Sequence, residues 1–209
     1  MARSHLGNKN EFRRGFEHIR KNDPKLGKVL DDRGVIAFRP NGEMFESLVE
    51  SILSQQLAGS AAESIIRKVR AIYADGRLEP GPLSRTRPAR LRAAGVSPQK
   101  LSYLKDLSKK VASGAVDLEA LREMEDQEIV RILDEIRGVG PWTVHMLLIF
   151  TLGRPDVLPV DDFGVKKAIQ VLYSLAEMPD KERVEEIAES WRPYRSIGSL
   201  YLWQYKDSR

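Results

Sequence analysis

The feature that most constrains the fold of this 209-residue chain is the spacing of its apolar side chains, which follows the α-helical period almost throughout. One segment repeats apolar residues every three or four positions, as one buried helix face requires: Phe45, Leu48, Val49, Ile52 and Leu53. Similar spacing predicts further helices over residues 60–72, 98–111, 126–136, 141–151, 162–173, 180–191 and 193–205. A single strand-like stretch, Val35–Phe38, is too short and too isolated to build a sheet. The sequence therefore predicts an all-α fold.

Capping residues predict where two of these helices begin. Ser60 and Glu63 have the spacing of a capping box, and Ser97 followed by Pro98 has the chemistry of an N-cap and a first helical turn. The short polar turn over residues 55–59 then joins two buried helices.

Composition excludes several classes of protein. The chain has no cysteine, so it can form neither disulfides nor Cys-ligated zinc or iron–sulfur sites. No apolar run approaches the roughly 20 residues of a transmembrane helix, and the first 14 residues are polar. His18 and His145 stand far apart without a third partner, so no metal site is predicted. We expect a soluble intracellular protein that does not bind membranes.

Charge is unevenly distributed along the chain, which carries a net charge of +4. Residues 77–110 contain nine Lys/Arg against two Asp/Glu, whereas residues 117–136 contain two against eight. This segregation suits a protein that presents one face to a polyanion. Ordinary solvated helix surfaces explain the same pattern equally well.

Two glycines lie in a turn that joins two of the predicted helices. Gly138 and Gly140 permit positive φ and close approach of another backbone, and Pro141 occupies the first helical position. Unpaired N–H groups at a helix N-terminus favour an anion, so such a turn can hold a phosphate. The alternative is a plain glycine-rich turn between two helices.

The chain resembles a known family at four ordered motifs. Residues 136–144 resemble the helix-hairpin-helix of the HhH-GPD DNA glycosylases, and residues 158–162 resemble the loop and aspartate of that superfamily. Together with residues 52–57 and 194–203, they resemble the AlkA/Mag-type alkylbase (3-methyladenine) DNA glycosylases. About 40 residues precede Phe45, too few for the extra β domain of the bacterial AlkA form, so the resemblance is to the compact form.

The resemblance implies an architecture and an activity. It implies two helical lobes, residues 1–56 with 154–209 and residues 57–153, with the active-site cleft between them. The implied partner is double-stranded DNA that contains damaged bases, and the implied lesions are of the 3-methyladenine and 7-methylguanine class. Members that also cut the backbone carry a lysine where Trp142 stands here, so a monofunctional enzyme is expected. The alternatives are a non-catalytic helix-hairpin-helix module and a same-fold glycosylase for deaminated, oxidised or mismatched bases.

The predicted chemistry requires a carboxylate. Breaking an N-glycosidic bond develops positive charge on the sugar, which an aspartate can stabilise. Asp161 and Asp162 compete for this role. With Asp162 at the helix boundary, Val165 and Ile169 face inward, and the family pattern points the same way. We therefore predict Asp162 as the catalytic residue. The alternative is that Asp162 only caps the helix.

Extrusion of a base requires an aromatic pocket and a wedge that fills the gap. By resemblance, Trp142 and Trp203 line the base pocket, and Met146 is predicted beside them. Stacking on an indole favours a cationic alkylated purine. Trp191 lacks such a match and is predicted to be core, and His145 to be a partly buried structural residue. The wedge is predicted in the turn after Leu53. Gln56 is the first choice, and Leu57 is the second.

Backbone amides of Gly138, Gly140 and Thr143, with the side chains of Arg137 and Lys166, are the predicted contacts to DNA phosphates. No organic cofactor is implied. The resemblance allows a structural monovalent cation on the hairpin carbonyls. We expect a monomer in the cytoplasm, at the bacterial nucleoid, or in the nucleus of a eukaryote.

Overall fold

The computed structural model describes residues 5–206, which form thirteen α-helices and no β-strand. In chain order the helices are α1 Lys9–Asn22, α2 Pro24–Arg33, α3 Met44–Ser54, α4 Gly59–Arg70, α5 Pro80–Arg85, α6 Pro88–Ala93, α7 Pro98–Ala112, α8 Leu118–Leu121, α9 Asp126–Asp134, α10 Pro141–Met146, α11 Phe163–Leu172, α12 Lys181–Ala188 and α13 Arg195–Lys206. A π-helical turn, Leu147–Thr151, continues α10, and a 3₁₀ turn, Glu189–Trp191, follows α12. The all-α prediction is confirmed.

The predicted caps have different outcomes. The Ser97 hydroxyl accepts the Lys100 N–H at 3.3 Å and Pro98 opens α7, so this helix start is confirmed. The predicted N-cap at Ser60 is wrong, because α4 begins at Gly59 with Ala58 as its N-cap. The Ala58 carbonyl already accepts the N–H groups of Ala61 and Ala62 at 3.0 Å, so Ser60 lies inside the helix.

The chain divides into two compact units. The terminal unit combines the chain up to Asn41 with the chain from Leu148 onward, and the central unit spans Gly42–Leu147. These limits differ from those of the predicted lobes in one main respect: α3, which the sequence analysis assigned to the terminal lobe, belongs to the central unit.

A buried aspartate organises the core of the terminal unit. Asp23 caps α2 by accepting the Leu26 N–H at 3.0 Å, and it also accepts the indole N–H of Trp191 at 2.7 Å and the hydroxyl of Tyr173. Burial and the Asp23 carboxylate raise the pKa of Tyr173. Trp191 is fully buried, which confirms the prediction that it is core.

The strand-like stretch Val35–Phe38 belongs to a segment of the terminal unit without regular secondary structure. Tyr201 fixes its beginning: the Tyr201 hydroxyl donates to the Gly34 carbonyl at 2.7 Å and lies 3.3 Å from the Ile36 N–H. The segment pairs with no other strand in residues 5–206, as its shortness predicted.

Much of the basic stretch 77–110 in the central unit serves internal contacts. Lys105 donates to the carbonyls of Leu83, Ser84 and Thr86 at 2.5–3.0 Å. Three other cations of the stretch also donate to carbonyl oxygens: Arg90, Lys100 and Lys110. The charge count along the sequence therefore overstates the positive charge that a polyanion can contact. Among the described helices, none is long and apolar enough to cross a membrane.

Candidate active site

Asp162 lies at the N-terminus of α11 in the terminal unit, and one of its carboxylate oxygens holds two donors. Oδ1 accepts the Val165 N–H at 2.8 Å and the indole N–H of Trp203 at 2.8 Å. Hydrogen bonds to a charged acceptor are stronger than neutral ones, so this pair fixes the orientation of the carboxylate. Asp162 is thus a helix cap, and it is also bonded to a predicted pocket residue.

The neighbouring Asp161 has a different setting. Its carboxylate lies 2.8 Å from the ammonium of Lys181, and both side chains are more than half exposed. The ion pair raises the pKa of Lys181. Asp161 therefore takes part in a surface ion pair, which supports the choice of Asp162 as the catalytic residue.

Helix periodicity does not separate the two aspartates, contrary to the sequence argument. Val165 and Ile169 are buried as predicted, but Gly164 and Ala168, which the competing register placed inward, are buried as well. The face of α11 that packs inward is wide enough to include both pairs. Hydrogen bonding rather than burial therefore distinguishes Asp162 from Asp161.

Phe150 is a component of this site that the sequence analysis missed. Its ring stacks on Trp203 with centroids 5.4 Å apart and planes inclined by 30°, while 40% of the residue is exposed. Helical spacing assigns Phe150 to the outer face of its segment, away from Val144, Leu147 and Leu148. A contact with a residue more than 50 positions away leaves no signal in that spacing.

Gly164 is a second missed component. A Cβ at this position would lie 3.0 Å from both Asp162 Oδ1 and Trp203 Cδ1. Gly164 has an ordinary helical backbone in α11, so its contribution is space rather than conformational freedom. A side chain there would be in tight contact and would push Trp203 or Asp162 aside by a few tenths of an ångström. Lys166, a predicted DNA contact, is half-buried in the same helix, and its N–H donates to the Asp162 carbonyl at 3.0 Å.

The two-glycine hairpin belongs to the central unit, and its glycines have different roles. Gly138 has φ +81°, and a Cβ there would lie 2.1 Å from the ring of Tyr103. Only glycine fits both conditions. Gly140 is the N-cap of α10 with φ −106°, and a Cβ there would meet no atom within 4 Å. Of the two hairpin glycines, Gly138 therefore has the expected positive φ and Gly140 does not.

Several backbone polar groups of the hairpin have unused hydrogen-bonding capacity. Within residues 5–206, no acceptor meets the N–H groups of Gly138 and Gly140, and Pro141 has no N–H to satisfy. The carbonyls of Ile136, Gly138 and Gly140 each accept one hydrogen bond. A carbonyl oxygen has two lone pairs, so each of the three keeps capacity for a further bond; the monovalent cation stays a prediction. The described residues contain no group of three His, Asp or Glu side chains that could hold a metal ion.

Arg137 is anchored through its backbone. Its N–H donates to Asp106 Oδ2 at 3.0 Å, and its Nε lies 3.4 Å from Oδ1, while 64% of its side chain is exposed. Partial burial opposes ionisation of Asp106, but the bonds from Arg137 and Lys110 prevail and lower the pKa of Asp106.

The first turns of α10 carry the other predicted residues of the hairpin region. Trp142 is 45% exposed, and Met146, four residues later and so on the same helix face, is half-buried. Thr143 is buried, and His145 is half-buried, as predicted.

The turn between α3 and α4 lies next to the hairpin within the central unit. The Gln55 side-chain amide donates to the Gly138 carbonyl at 2.7 Å, and Lys100 donates to the Leu53 carbonyl at 2.7 Å. Gln56 is exposed with φ +57°, and Leu57 is 39% exposed. Both predicted wedge residues therefore reach solvent. Gln55, to which the sequence analysis assigned no role, connects the two loops through its bond to Gly138.

Known proteins resemble the chain in sequence and in structure. Residues 49–193 match the family model described as HhH-GPD superfamily base excision DNA repair protein. DNA-3-methyladenine glycosylase 1 of Schizosaccharomyces pombe is 33% identical over 174 residues, which cover 80% of this chain and 76% of the relative.

Two solved structures share the fold. The S. pombe 3-methyladenine DNA glycosylase Mag1 in complex with abasic DNA superposes with a TM-score of 0.81 at 30% identity, covering 91% of this chain and 95% of Mag1. A DNA-3-methyladenine glycosidase from Bacillus halodurans gives a TM-score of 0.83 at 32% identity, covering 92% and 88%. The hairpin and the Asp162 loop both lie within the matched residues. The chain belongs to the HhH-GPD superfamily of base excision DNA repair proteins.

Proposed function

We propose that the protein is a monofunctional DNA glycosylase of base excision repair that removes alkylated bases of the 3-methyladenine and 7-methylguanine class. One observation supports the proposal: the carboxylate of Asp162, which the sequence resemblance equates with the family's aspartate, is held by the Trp203 indole and by the Val165 N–H of α11. Similarity to two 3-methyladenine glycosylases over more than nine-tenths of the chain supports the substrate class.

The proposed reaction is hydrolysis of the bond between the sugar C1′ and the base nitrogen. The bonding electron pair leaves with the base, and C1′ develops oxocarbenium character. The Asp162 carboxylate stabilises this charge and orients a water molecule. The water oxygen bonds to C1′ and its proton passes through the Asp162 carboxylate to solvent, while the cationic alkylated base leaves as a neutral molecule. The products are an abasic site, the free base and one proton. The step uses water alone, and we propose no organic cofactor.

Trp142 supports hydrolysis rather than backbone cleavage. It stands where lyase members of the superfamily carry the Schiff-base lysine, and an indole nitrogen cannot serve as that nucleophile. We therefore propose that the enzyme leaves the abasic strand intact.

We propose that the hairpin holds a DNA phosphate. The N–H groups of Gly138 and Gly140, which donate to no acceptor within residues 5–206, and the N-terminus of α10 provide the donors. The exposed side chain of Arg137 adds positive charge beside them. In the same unit, exposed Gln56 and Leu57 are the proposed wedge.

A non-catalytic DNA-binding module is the competing proposal from another class. Such a module needs the hairpin but not a carboxylate held by a tryptophan, so the Asp162–Trp203 pair favours the enzyme. A glycosylase for another lesion uses the same scaffold, and only substrates distinguish it.

The test is excision from duplexes that each carry one lesion: 3-methyladenine, 7-methylguanine, hypoxanthine, uracil or 8-oxoguanine. We expect release of the two methylated bases, with strands that break only after heat or alkali. Borohydride in the reaction should trap no covalent complex. A trapped complex would refute monofunctionality, and duplex binding without excision of any lesion would favour the non-catalytic module.

A further inference from the structure

The terminal unit contains a cavity of about 440 Å³, and no residue of the Asp162 loop lines it. It lies between the first half of α1 and the irregular segment 35–39. None of its lining residues belongs to the residues that we place in the excision site. Its volume falls in the range of about 300–1,000 Å³ typical of small-ligand pockets.

Positive charge dominates the polar part of the lining. Lys9, Arg13 and Arg39 line the cavity, and no acidic side chain does. None of the three cations has an ion-pair partner among residues 5–206. Three cations beside one cavity, with no internal partner, favour an anionic ligand.

The apolar part of the lining provides a surface for a ring. Phe38 is half-buried, and its ring lies 6.1 Å from the buried ring of Phe12. Val35, beside it, is 50% exposed. Aromatic rings next to unpaired cations are the combination that proteins use to bind single-stranded nucleic acids, where bases stack and phosphates are neutralised.

We infer that this cavity binds one nucleotide of a single-stranded DNA segment. The base stacks against Phe38, and the phosphates contact Arg13 and Arg39. The site is distinct from the pocket for the damaged base, because three cations repel a cationic alkylated purine. A base inside a duplex is stacked on both faces, so a cavity of this kind accepts only an unpaired one.

A row of rings joins the cavity to the catalytic loop. Phe38 lies 6.1 Å from Phe150, which in turn stacks on Trp203. A strand seated in the cavity is therefore close to the aspartate that Trp203 holds. The inference goes beyond excision itself, and its test measures binding rather than base release.

The full-length protein and an eight-nucleotide thymidine oligomer with one 5-iododeoxyuridine test the location. After irradiation, we expect crosslinked peptides that contain residues 35–39. Phe38→Leu should remove this crosslink. Crosslinks confined to other parts of the chain would overturn the inference.

A charge-matched pair of variants tests the phosphate contact without disturbing the core. Arg13→Ser should weaken oligomer binding about fivefold and reduce the slope of log affinity against log salt by about 0.7. Lys21→Ser removes an equal charge from the exposed last turn of α1, outside the cavity, and should change neither value. Equal effects of the two variants would contradict the site.

Thymidine 5′-monophosphate distinguishes a strand from a free nucleotide. We expect it to compete with the oligomer only at concentrations at least tenfold higher, because it offers one phosphate. Competition at equal concentration would overturn the assignment to a DNA strand.

Discussion

The N-termini of α10 and α11 are built in opposite ways. In α11 the side chain of Asp162 accepts the Val165 N–H, so the helix carries its own anion. In α10 the N-cap is Gly140, which has no side chain, and Pro141 follows. Both ends favour negative charge, because unpaired N–H groups concentrate there.

This difference shows how one structural element serves two purposes. Under the proposed function, the negative charge at α11 is part of the protein and serves the chemistry on the sugar. Under the same proposal, the DNA backbone supplies the negative charge at α10. Variants at α11 should therefore change the excision rate, and variants at α10 should change affinity.

The largest effect is expected from Asp162→Asn. Asparagine keeps the shape and caps the helix but removes the charge that faces the oxocarbenium ion, so excision should slow about 10²-fold or more. Duplex affinity should be equal or higher, because a negative charge near the phosphates has gone. Excision rates at saturating enzyme and anisotropy titrations measure the two quantities. If Asp162→Asn lowered duplex affinity and left the excision rate unchanged, α11 and α10 would not differ in the way proposed.

Trp203→Phe should have an intermediate effect. It keeps an aromatic ring against Phe150 but removes the N–H that donates to Asp162. A hydrogen bond to a charged group contributes about 1.5–3 kcal/mol, so the rate should fall roughly tenfold or more. Trp203→Ala removes the ring as well and should be slower still. If the phenylalanine variant retains the wild-type rate, the indole N–H does not position the carboxylate.

The smallest effect on excision should come from the hairpin. Gly140→Ala fits without steric conflict, so the protein should fold normally and lose only a few-fold in duplex affinity. Gly138→Ala is the matched comparison: its positive φ and the Tyr103 ring predict a loss of more than about 1 kcal/mol in the free energy of unfolding. Urea titration separates the two glycines, and equal stabilities would show that Gly138 is not conformationally required.

Sequence patterns predicted the fold well because helices depend on local spacing. Apolar periodicity located the main helices from α3 onward, and Ser97 with Pro98 located the start of α7. It predicted no helix over residues 9–33, where α1 and α2 lie. The Ser60 prediction failed because a capping box describes side chains, whereas the Ala58 carbonyl had already begun the helix. Start sites within one or two residues of each other lie beyond what spacing can resolve.

The site was only partly predictable. Its motifs identified Asp162, Trp203 and the hairpin, but the contacts that hold them are tertiary. Phe150 and Gly164 act through residues that packing brings close to them, and no local pattern marks either one. The ion pair between Asp161 and Lys181 is likewise visible only in the folded chain.

The proposed mechanism depends most directly on which of the two adjacent aspartates carries the catalytic charge. Single-turnover excision of 7-methylguanine, at enzyme concentrations that saturate the duplex, compares Asp162→Asn with Asp161→Asn. We predict a loss of about 10²-fold or more for Asp162→Asn. For Asp161→Asn we predict a rate within about threefold of wild type, because only an exposed ion pair of small energetic value is lost. A dead Asp161→Asn beside an active Asp162→Asn, or full activity of both, would contradict the account.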